Sequence, residues 1–436
     1  MRRILDLIRR EPRARRFFIA LGQSALGTGA ALVALLVLAL ERFDSPWAIG
    51  LILLADVIPG MVLGPLFGAV ADRWSRRLCV VLADVLRALA FAALVLVDGF
   101  GLTLAFALLA GVGTALFQPA SLAALPGLVD RVRLPAATSL YGALTDIGFV
   151  AGPALAAAIM LGGGPELVLA VNAVTFAISA VLLMSIPFGD VAVEPPASEE
   201  PRSLIREVRE GFTAAARIPG LRLILVASTA ALFCGGLFNV AELLLATDEL
   251  GASESGFSIL VAIYGLGFIG GSLAGARGGE LTALRRRYLA GLLLAGVGTS
   301  ASGVAPTVVV AAICFVGAGY GAGLLLVHER LLIQALVPDV LSGRIFGMRD
   351  GLTAWAWAVA FVVGPLLITA VGTRATVVIA GAGALAVWLF TAWFLKRAPG
   401  SEPDEPGERS AGGGIGRGDF ARPGGAREDG ADFVSG

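Results

Sequence analysis

The sequence has few charged residues. Asp, Glu, Lys and Arg make up 15% of its 436 residues and hydrophobic residues make up 57%, whereas a soluble domain carries roughly 25% charged residues. The mean hydropathy is +0.85. Lysine occurs once, at Lys396, and the formal net charge is zero, so the chain has no clustered basic domain that would bind nucleic acid. This composition excludes an ordinary soluble domain and favours a protein that crosses the lipid bilayer several times.

Cysteine and histidine are also scarce. Cys79, Cys234 and Cys314 lie inside or at the edge of apolar runs and form no short-spaced pair, which excludes a disulfide framework and a cysteine-based zinc site. The single histidine, His328, has no partner at helical spacing, so neither a metal site nor the nucleophile–base pair of an intramembrane enzyme is predicted. An ATP-binding loop needs a lysine after its second glycine, and the only lysine, Lys396, does not lie in such a loop. ATP-driven pumping by this chain alone is therefore excluded.

Long apolar runs, by contrast, are abundant. A helix needs roughly 20 mostly apolar residues to cross about 30 Å of hydrocarbon. Twelve windows satisfy this requirement, so the sequence predicts an all-α membrane protein with twelve transmembrane helices. The ninth window is the weakest, because it is short and rich in Gly and Ser. The predicted spans 1 to 12 are 17–40, 47–70, 78–97, 102–124, 137–161, 166–187, 222–246, 256–276, 288–303, 307–333, 347–370 and 374–395.

Basic residues divide unevenly between the two sides of these spans. The side that holds both termini carries nearly all of them, whereas the opposite side holds only Arg42 and Arg374. Because basic loops stay in the cytoplasm, both termini are predicted to be cytoplasmic, in a multi-pass protein of the inner (plasma) membrane. The first span is too long for the core of a signal peptide and has no small-residue cleavage site after it, so we expect it to be retained.

Special residues of the first six spans recur in the last six, which indicates two pseudo-repeated six-helix halves, 17–187 and 222–395. An offset of 212 relates Gly111 to Gly323, Pro126 to Pro338, Gly152 to Gly364 and Pro153 to Pro365, and an offset of 207 relates Gly60, Gly64 and Gly68 to Gly267, Gly271 and Gly275. The remaining segments are predicted to be a basic cytoplasmic N-terminus at 1–16, a cytoplasmic linker at 188–221 and a disordered cytoplasmic tail at 396–436.

Between spans 2 and 3 the chain reads Gly68-Ala-Val-Ala-Asp72-Arg73-Trp-Ser-Arg76-Arg77. This segment resembles the loop signature of the major facilitator superfamily, Gly-x-x-x-Asp-Arg-x-x-Arg with a further basic residue. Three other segments resemble its transmembrane secretion-effector branch, which includes enterobactin exporters and macrolide or multidrug efflux proteins. These segments are Asp84-x-x-Arg87, Gln118-Pro119-Ala120 and Gly148-x-x-x-Gly152-Pro153.

The resemblance implies the major facilitator fold and secondary active export of an amphipathic small molecule, such as a drug, a siderophore or a secondary metabolite. It also implies proton antiport with alternating access, by a monomer that uses no cofactor. An importer or lipid transporter of the same fold is the alternative, and a membrane sensor or scaffold is a further one. Two departures weaken the transfer of a known coupling mechanism: span 4 lacks the intramembrane Arg of many drug/proton antiporters, and span 1 has Gln23 but no carboxylate.

The resemblance assigns a gate to the loop signature, that is, to Gly68, Asp72, Arg73, Arg76 and Arg77. Asp72 is expected to accept hydrogen bonds at the start of span 11, near 344–350, because free N–H groups and the dipole at a helix start favour an anion. This contact would stabilise the outward-facing state. The alternative, a solvated charge run that fixes topology, accounts well for the last two arginines. A helix-packing motif is predicted at Gly148, Gly152, Pro153, Gly364 and Pro365.

Ionisable groups inside the membrane are candidates for proton or substrate coupling, because a charge there costs roughly 2.5 to 3.5 kcal/mol. Asp56 and Asp146 lie near the middle of spans 2 and 5. Glu242 lies late in span 7 and Glu329 near the inner end of span 10. For Asp56 and Asp146 the alternative is a carboxyl that only holds helices together. Glu329, in the run His328-Glu329-Arg330, is also interpreted as part of a cytoplasmic gate or cavity-mouth cluster, and snorkelling charges are the alternative there.

Two further expectations concern packing. Asp84 and Arg87 are three residues apart on one face of span 3, so they are expected to form a structural ion pair. Candidates to line an apolar pocket are Phe117, Tyr264, Trp355 and Trp357, and the alternative for each is a lipid-facing or packing role. The two tryptophans are two residues apart on a helix and point in different directions, so at most one of them is expected to face the pocket.

Overall fold

The computed structural model describes residues 11–188, 218, 220–275 and 279–397, and these residues are almost entirely α-helical. The described helices are α1 Pro12–Phe43, α2 Pro46–Arg73, α3 Arg76–Leu96, α4 Phe100–Ala124, α5 Leu134–Met184, α6 Leu221–Leu244, α7 Glu254–Gly275, α8 Leu281–Gly303, α9 Val308–Leu336, α10 Asp339–Val371 and α11 Thr373–Arg397. Ten of these eleven are long and apolar enough to cross a membrane, and α8, the predicted span 9, is the exception. Most of the predicted linker at 188–221, namely 189–217 and 219, and the tail beyond Arg397 lie outside the described residues.

Three helix starts differ from the predicted ones. Helix α1 begins at Pro12. Proline has no N–H group, but this costs no hydrogen bond at a helix start, because the first N–H groups of a helix are unpaired. The last residues of the predicted basic segment at 1–16 are therefore helical. Helix α10 begins at Asp339, so 344–350 lies inside a helix and the helix start expected there for Asp72 is misplaced. Helix α8 begins at Leu281 rather than at 288.

Predicted spans 5 and 6 are the two arms of α5, which has 51 residues. The backbone leaves helical geometry between the arms, at Gly163 and Gly164. Gly164 has φ +69°, a left-handed conformation that glycine adopts without steric cost, and Pro165 then begins the second arm. The break falls in the gap between the predicted windows 137–161 and 166–187. Helices α1–α5 form the N-terminal group, and helices α6–α11 form the C-terminal group.

Glycines set the closest helix contacts in the N-terminal group. A Cβ at Gly148 would lie 2.6 Å from the carbonyl carbon of Ala25 on α1. A Cβ at Gly152 would lie 2.5 Å from the carbonyl carbon of Gly29. Carbon atoms in contact normally lie roughly 3.5–4.0 Å apart. Only glycine therefore lets α5 approach the α1 backbone this closely, as expected where helices pack in lipid.

Similar contacts recur in the C-terminal group. A Cβ at Gly364 on α10 would lie 3.1 Å from Val240 on α6, which corresponds to the contact of α5 with α1. Gly111 on α4 faces Ala55 of α2, and Gly323 on α9 faces Phe268 of α7. Ala55 and Phe268 thus hold equivalent places against these two glycines, so positions on α2 and α7 correspond at an offset of 213.

The offset of 207, which was inferred from glycines alone, does not describe this packing. A Cβ at Gly60, Gly64 or Gly68 would meet no atom within 4 Å, whereas Gly267 and Gly271 are packed against the backbone of α9. The glycine match between spans 2 and 8 is therefore a coincidence of composition and not a repeated contact.

The two ends of the helix bundle differ in charge. The basic end holds Arg73, Arg131 and Arg285, and the acidic end holds Asp44 and Asp98. Contacts between the two groups occur toward the acidic end. A Cβ at Gly50 on α2 would lie 2.5 Å from Pro365 on α10, and the hydroxyl of Ser258 on α7 donates to the sulfur of Met160 on α5 at 3.4 Å.

Toward the basic end, α2 and α10 diverge. A Cβ at any of six glycines on these helices would meet no atom within 4 Å; they are Gly60, Gly64, Gly68, Gly343, Gly347 and Gly351. In each helix the three glycines are four residues apart and therefore lie along one face. From these open glycine faces and the contacts at the acidic end we infer a cleft between the groups that is open at the basic end and closed at the acidic end.

Candidate functional site

A cavity of about 230 Å³ lies among the helices of the C-terminal group. Side chains from α6 to α11 form its walls, and Phe149 of α5 contributes from the N-terminal group. Most of the lining is apolar or aromatic, including Phe238, Tyr264 and Trp357. Trp355 is largely exposed and absent from the lining, which confirms that only one of the two tryptophans faces the pocket.

Glu242 is the only charged residue among the described residues that line this cavity. It lies on α6 and is 6% exposed. The side-chain amide of Asn239, one helical turn earlier, donates a hydrogen bond of 3.0 Å to its Oε1. Within the described chain no Arg or Lys lies at ion-pair distance from Glu242. A buried carboxylate therefore faces an aromatic cavity with a neutral partner alone.

The backbone of α6 changes immediately after Glu242. Residues Leu245–Glu249 continue the helix as a π-helix, and the N–H of Leu245 bonds to the carbonyls of both Ala241 and Glu242. Single π turns of this kind are frequent at functional sites, because the wider turn redirects the side chains that precede it. The sequence carried no signal for this turn, since Leu-Ala-Thr-Asp-Glu is compatible with an ordinary helix.

Glu329 on α9 is in a different situation. It is 1% exposed and accepts two hydrogen bonds from Arg349 on α10, from Nη2 at 2.7 Å and from Nε at 3.1 Å. Arg349 also donates to Asp350 at 2.9 Å. Paired donors in this fork geometry make a strong bond to a carboxylate. Glu329 thus joins α9 to α10, and Arg349 balances its negative charge.

The predicted ion pair of Asp84 and Arg87 on α3 is present and buried, with exposures of 0% and 5%. The Arg87 guanidinium lies between two aromatic rings, 4.3 Å from the ring centre of Phe117 and 4.2 Å from that of Phe176. Rings on both faces stabilise the cation by cation–π attraction. This cluster holds α3, α4 and α5 together, and its residues are absent from the cavity lining. The expectation that Phe117 lines the pocket is therefore wrong, because its ring packs against Arg87.

Asp56 and Asp146 are exposed and do not line the cavity. Asp146 on α5 lies within electrostatic reach of Arg330 on α9, so this interaction crosses from the N-terminal to the C-terminal group. The structure thus separates the four predicted coupling residues. Glu242 faces the cavity, Glu329 is ion-paired, and the two aspartates are accessible on α2 and α5.

The loop signature lies at the basic end of α2. Arg73 is exposed, and the Arg77 guanidinium donates to the carbonyl of Met184 at the end of α5. Gly68 faces open space, and Arg76 begins α3. Asp72 lies in the last turn of α2, but its side chain is outside the described residues.

Ion pairs at the acidic end were missed from the sequence. Arg42 bonds to Glu166 at 3.1 Å, and Arg374 bonds to Glu249 at 2.8 Å. Arg374 also donates to the carbonyl of Ala305 at 2.9 Å. Both arginines were noted only as exceptions to the charge asymmetry. Their isolation among acidic residues was the signal that could have identified them as ion-pair partners.

A second missed contact joins the two groups directly. The carboxyl groups of Glu41 on α1 and Glu254 on α7 lie close enough to interact electrostatically. Two neighbouring carboxyl groups repel each other when both are charged, so this proximity favours protonation of one of them. The pair lies at the acidic end, on the closed side of the cleft.

The sequence model described as Major Facilitator Superfamily matches residues 17–245 and 223–427, which together include all the described helices except the first turn of α1. The chain belongs to the Major Facilitator Superfamily. Both stretches begin close to a predicted half, at 17 and 222.

Curated relatives in this superfamily cover most of the chain. It is 26% identical to the MFS-type transporter YfiS of Bacillus subtilis over 84% of this chain and 89% of the relative. The multidrug efflux pump Tap of Mycolicibacterium fortuitum is 27% identical over 82% and 90%. Macrolide efflux protein A of Streptococcus pyogenes is 24% identical over 77% and 84%.

Among solved structures, the crystal structure of the nucleoside transporter NupG superposes with a TM-score of 0.71 at 14% identity, covering 88% of this chain and 99% of that one. At this identity the match supports the fold alone. Family membership and the relatives together identify an integral membrane transport protein and not an enzyme.

Proposed function

We propose that this superfamily member exports amphipathic small molecules from the cell by proton antiport, as a monomer in the plasma membrane. The observation that carries the proposal is the aromatic cavity with its buried carboxylate, located beside a cleft that is open at one end. Cavities of this kind, mostly apolar with few polar groups, suit small amphipathic ligands. The names of the relatives, macrolide efflux protein and multidrug efflux pump, support export and a drug-like or metabolite substrate.

The proposed topology has twelve crossings in two six-helix halves. The N-terminal group supplies six because α5 reverses at Gly163 and Gly164, and the C-terminal group supplies the other six. The positive-inside rule places the basic end in the cytoplasm together with both termini. The cleft is then open to the cytoplasm, which is the side from which an exporter collects its substrate.

Alternating access requires the basic end to close when the acidic end opens. The glycine faces of α2 and α10 suit this closure, because helices without side chains at their contact approach closely. Asp72 and Arg73 at the end of α2 are proposed to stabilise the closed basic end by contacts with α10, whose first turn is at Asp339.

Proton coupling is proposed to use Asp56 or Asp146. Both are accessible where the cleft is open, whereas Glu329 is bound by Arg349. Asp146 also lies near Arg330 of the opposite group, so closing or opening the cleft would change its electrostatic surroundings. A carboxyl reached by water from each side in turn can carry one proton per cycle.

The test is flux in proteoliposomes with and without an imposed pH gradient. The compounds are a macrolide, a siderophore and a fluorescent amphipathic dye. Export by the wild-type protein should be driven uphill by the gradient. One of the two variants Asp56→Asn and Asp146→Asn should remove the carboxyl group that carries the proton. That variant should abolish uphill export and preserve downhill exchange. The control Asp130→Asn, in an exposed loop, should change neither.

Three outcomes would contradict the proposal. Wild-type flux that ignores the gradient would disprove proton antiport. Accumulation in the opposite direction would favour an importer of the same fold. Uphill export that persists in both aspartate variants would show that the proton is carried elsewhere.

A further inference from the structure

The described lining of the C-terminal cavity contains one carboxylate and no cation to balance it. An isolated charge that is taken out of water is costly, so a buried carboxyl group is normally paired with a cation or kept protonated. The other two buried carboxyl groups in the described helices are paired, Asp84 with Arg87 and Glu329 with Arg349. Glu242 has only the neutral amide of Asn239 as its described partner, so this group is left to hold a proton or to bind a cationic ligand.

We propose that this cavity binds the positively charged end of the transported molecule, an organic monocation such as a protonated or quaternary amine, with Glu242 as its counterion. The proposal rests on the proposed transport function and deepens it by naming the charge of the substrate. It assigns one role to Glu242, substrate recognition, and leaves proton coupling to the accessible aspartates.

The geometry around Glu242 suits a cation. Asn239 occupies Oε1, whereas Oε2 makes no hydrogen bond within the described part of the chain and is therefore available to a ligand. Asn239 also fixes the carboxylate, so a ligand would meet a positioned acceptor and not a mobile one. Because no Arg or Lys among the described lining residues competes for this carboxyl group, a cationic ligand would meet no repelling charge there.

The aromatic walls favour an organic cation over a metal ion. Phe238, Tyr264 and Trp357 line the same cavity as Glu242, and the faces of such rings attract ammonium groups. A metal ion would need several oxygen, nitrogen or sulfur ligands. No group of three His, Cys, Asp or Glu side chains that could hold one occurs in the described residues.

Cavity size limits how much of the ligand is enclosed. A volume of 230 Å³ lies below the roughly 300–1,000 Å³ of pockets that bury a whole drug-sized molecule. The cavity therefore holds the amine-bearing end, and the remaining apolar part projects past Phe149 toward the cleft between the two groups. Molecules of varied apolar shape but common charge would be accepted.

The experiment compares a cation with its uncharged isostere on the purified full-length protein. The probes are benzyltrimethylammonium and neopentylbenzene, which share one shape and differ by the charge of a single atom. Binding is measured by quenching of tryptophan fluorescence, since Trp357 lines the cavity, with isothermal titration as the second readout. The wild-type protein should bind the cation about tenfold or more tightly, which corresponds to about 1.4 kcal/mol.

Three variants isolate the role of the carboxylate. Glu242→Gln should lower cation affinity about tenfold and leave binding of neopentylbenzene unchanged, because the shape of the cavity is preserved. Glu242→Asp, which keeps the charge, should retain the preference for the cation. Asp130→Asn, which removes an equal charge from an exposed loop, should bind both probes as the wild type does.

Equal affinity of the wild-type protein for the two probes would overturn the inference, even if the Glu242 variants fail to fold. Unchanged cation binding in Glu242→Gln would also overturn it. These outcomes are separable from failure of the proposed function. Selective cation binding without gradient-driven flux would reject antiport and keep the site, whereas gradient-driven export of uncharged compounds alone would reject the site and keep antiport.

Discussion

Three carboxylates buried in apolar surroundings differ in what faces them. Asp84 has a guanidinium enclosed by two aromatic rings, Glu329 has a forked pair of hydrogen bonds from Arg349, and Glu242 has an amide. Residue type and depth in the membrane do not explain the difference between them. What distinguishes them is the nearest positive charge. Asp84 is paired with Arg87 of the same helix, Glu329 is paired with Arg349 of a neighbouring helix, and Glu242 has no such partner in the described residues.

The Asp84–Arg87 pair is predicted to contribute to stability and not to transport. Arg87→Met leaves a buried carboxylate without its partner, which should lower the free energy of unfolding by about 3–5 kcal/mol. Asp84→Leu combined with Arg87→Met removes both charges and should recover most of the loss. Thermal unfolding in detergent, followed by tryptophan fluorescence, measures both effects.

Arg133 provides the control for that prediction, because its ion pairs are only partly buried. Arg133→Met should cost less than about 1 kcal/mol, as exposed pairs usually do. If Arg87→Met unfolds at the wild-type temperature, the cluster on α3 does not hold the helices together as described.

At the scale of elements, glycine positions decide which helices are in close contact. On α5, Gly152 lies against the α1 backbone, whereas Gly142 on the same helix would have no atom within 4 Å of a Cβ. The predicted packing motif includes Gly152 and not Gly142, and the surroundings of the two glycines differ in the same way. Their comparison separates a packing effect from the general preference of helices for alanine.

Gly152→Ala is predicted to destabilise the protein by about 1–3 kcal/mol, because the added methyl group overlaps the α1 backbone. Gly142→Ala should stabilise it slightly, by up to about 1 kcal/mol, since alanine favours the helix and nothing is displaced. Melting temperatures of the two variants provide the measurement. Equal shifts in the same direction would show that the contact of α5 with α1 is not tight.

Sequence periodicity and hydropathy predicted the helices well, because a span needs about 20 apolar residues whatever it packs against. The same information placed the α5 turn correctly and identified Glu242 as unusual. It could not distinguish Glu242 from Glu329, since the partner of Glu329 is twenty positions away on another helix. It also misjudged the start of α10 at Asp339, because polar residues there continue a helix whose apolar part begins later.

At the scale of the whole molecule, the two groups touch toward the acidic end and separate toward the basic end. Met160 and Ser258 are in contact across them, whereas Gly64 and Gly347 lie on faces that are open. In a transporter that alternates between two states, the acidic end must open when the basic end closes. Whether Met160 contacts Ser258, or Gly64 approaches Gly347, therefore shows which state is populated.

Cross-linking is predicted to follow this asymmetry in a background where the three native cysteines are replaced. Met160→Cys with Ser258→Cys should cross-link rapidly without substrate and stop transport until a reductant is added. Gly64→Cys with Gly347→Cys should cross-link more slowly than the first pair. Its rate should rise when the acidic end is held open, because the basic end then closes. Gel mobility and flux on the same samples test both, and equal rates for the two pairs would contradict the observed opening.

Sidedness gives a separate prediction. Ser75→Cys at the basic end should react with a membrane-impermeant maleimide only after cells are permeabilised, because the positive-inside rule places that end in the cytoplasm. Asp98→Cys at the acidic end should react in intact cells, since its side chain is almost fully exposed. The reverse pattern would invert the topology and with it the direction of the open cleft.

The turn at Gly163 and Gly164 also bears on how the protein is made. It joins the arms of α5 with almost no loop, so only a few residues separate one crossing from the next in the 51 residues that the ribosome delivers. The arms are therefore expected to enter the membrane together as a hairpin. Helix α1 is synthesised earlier and already presents Ala25 and Gly29 when the hairpin arrives, so membrane insertion and assembly of the N-terminal group become a single event.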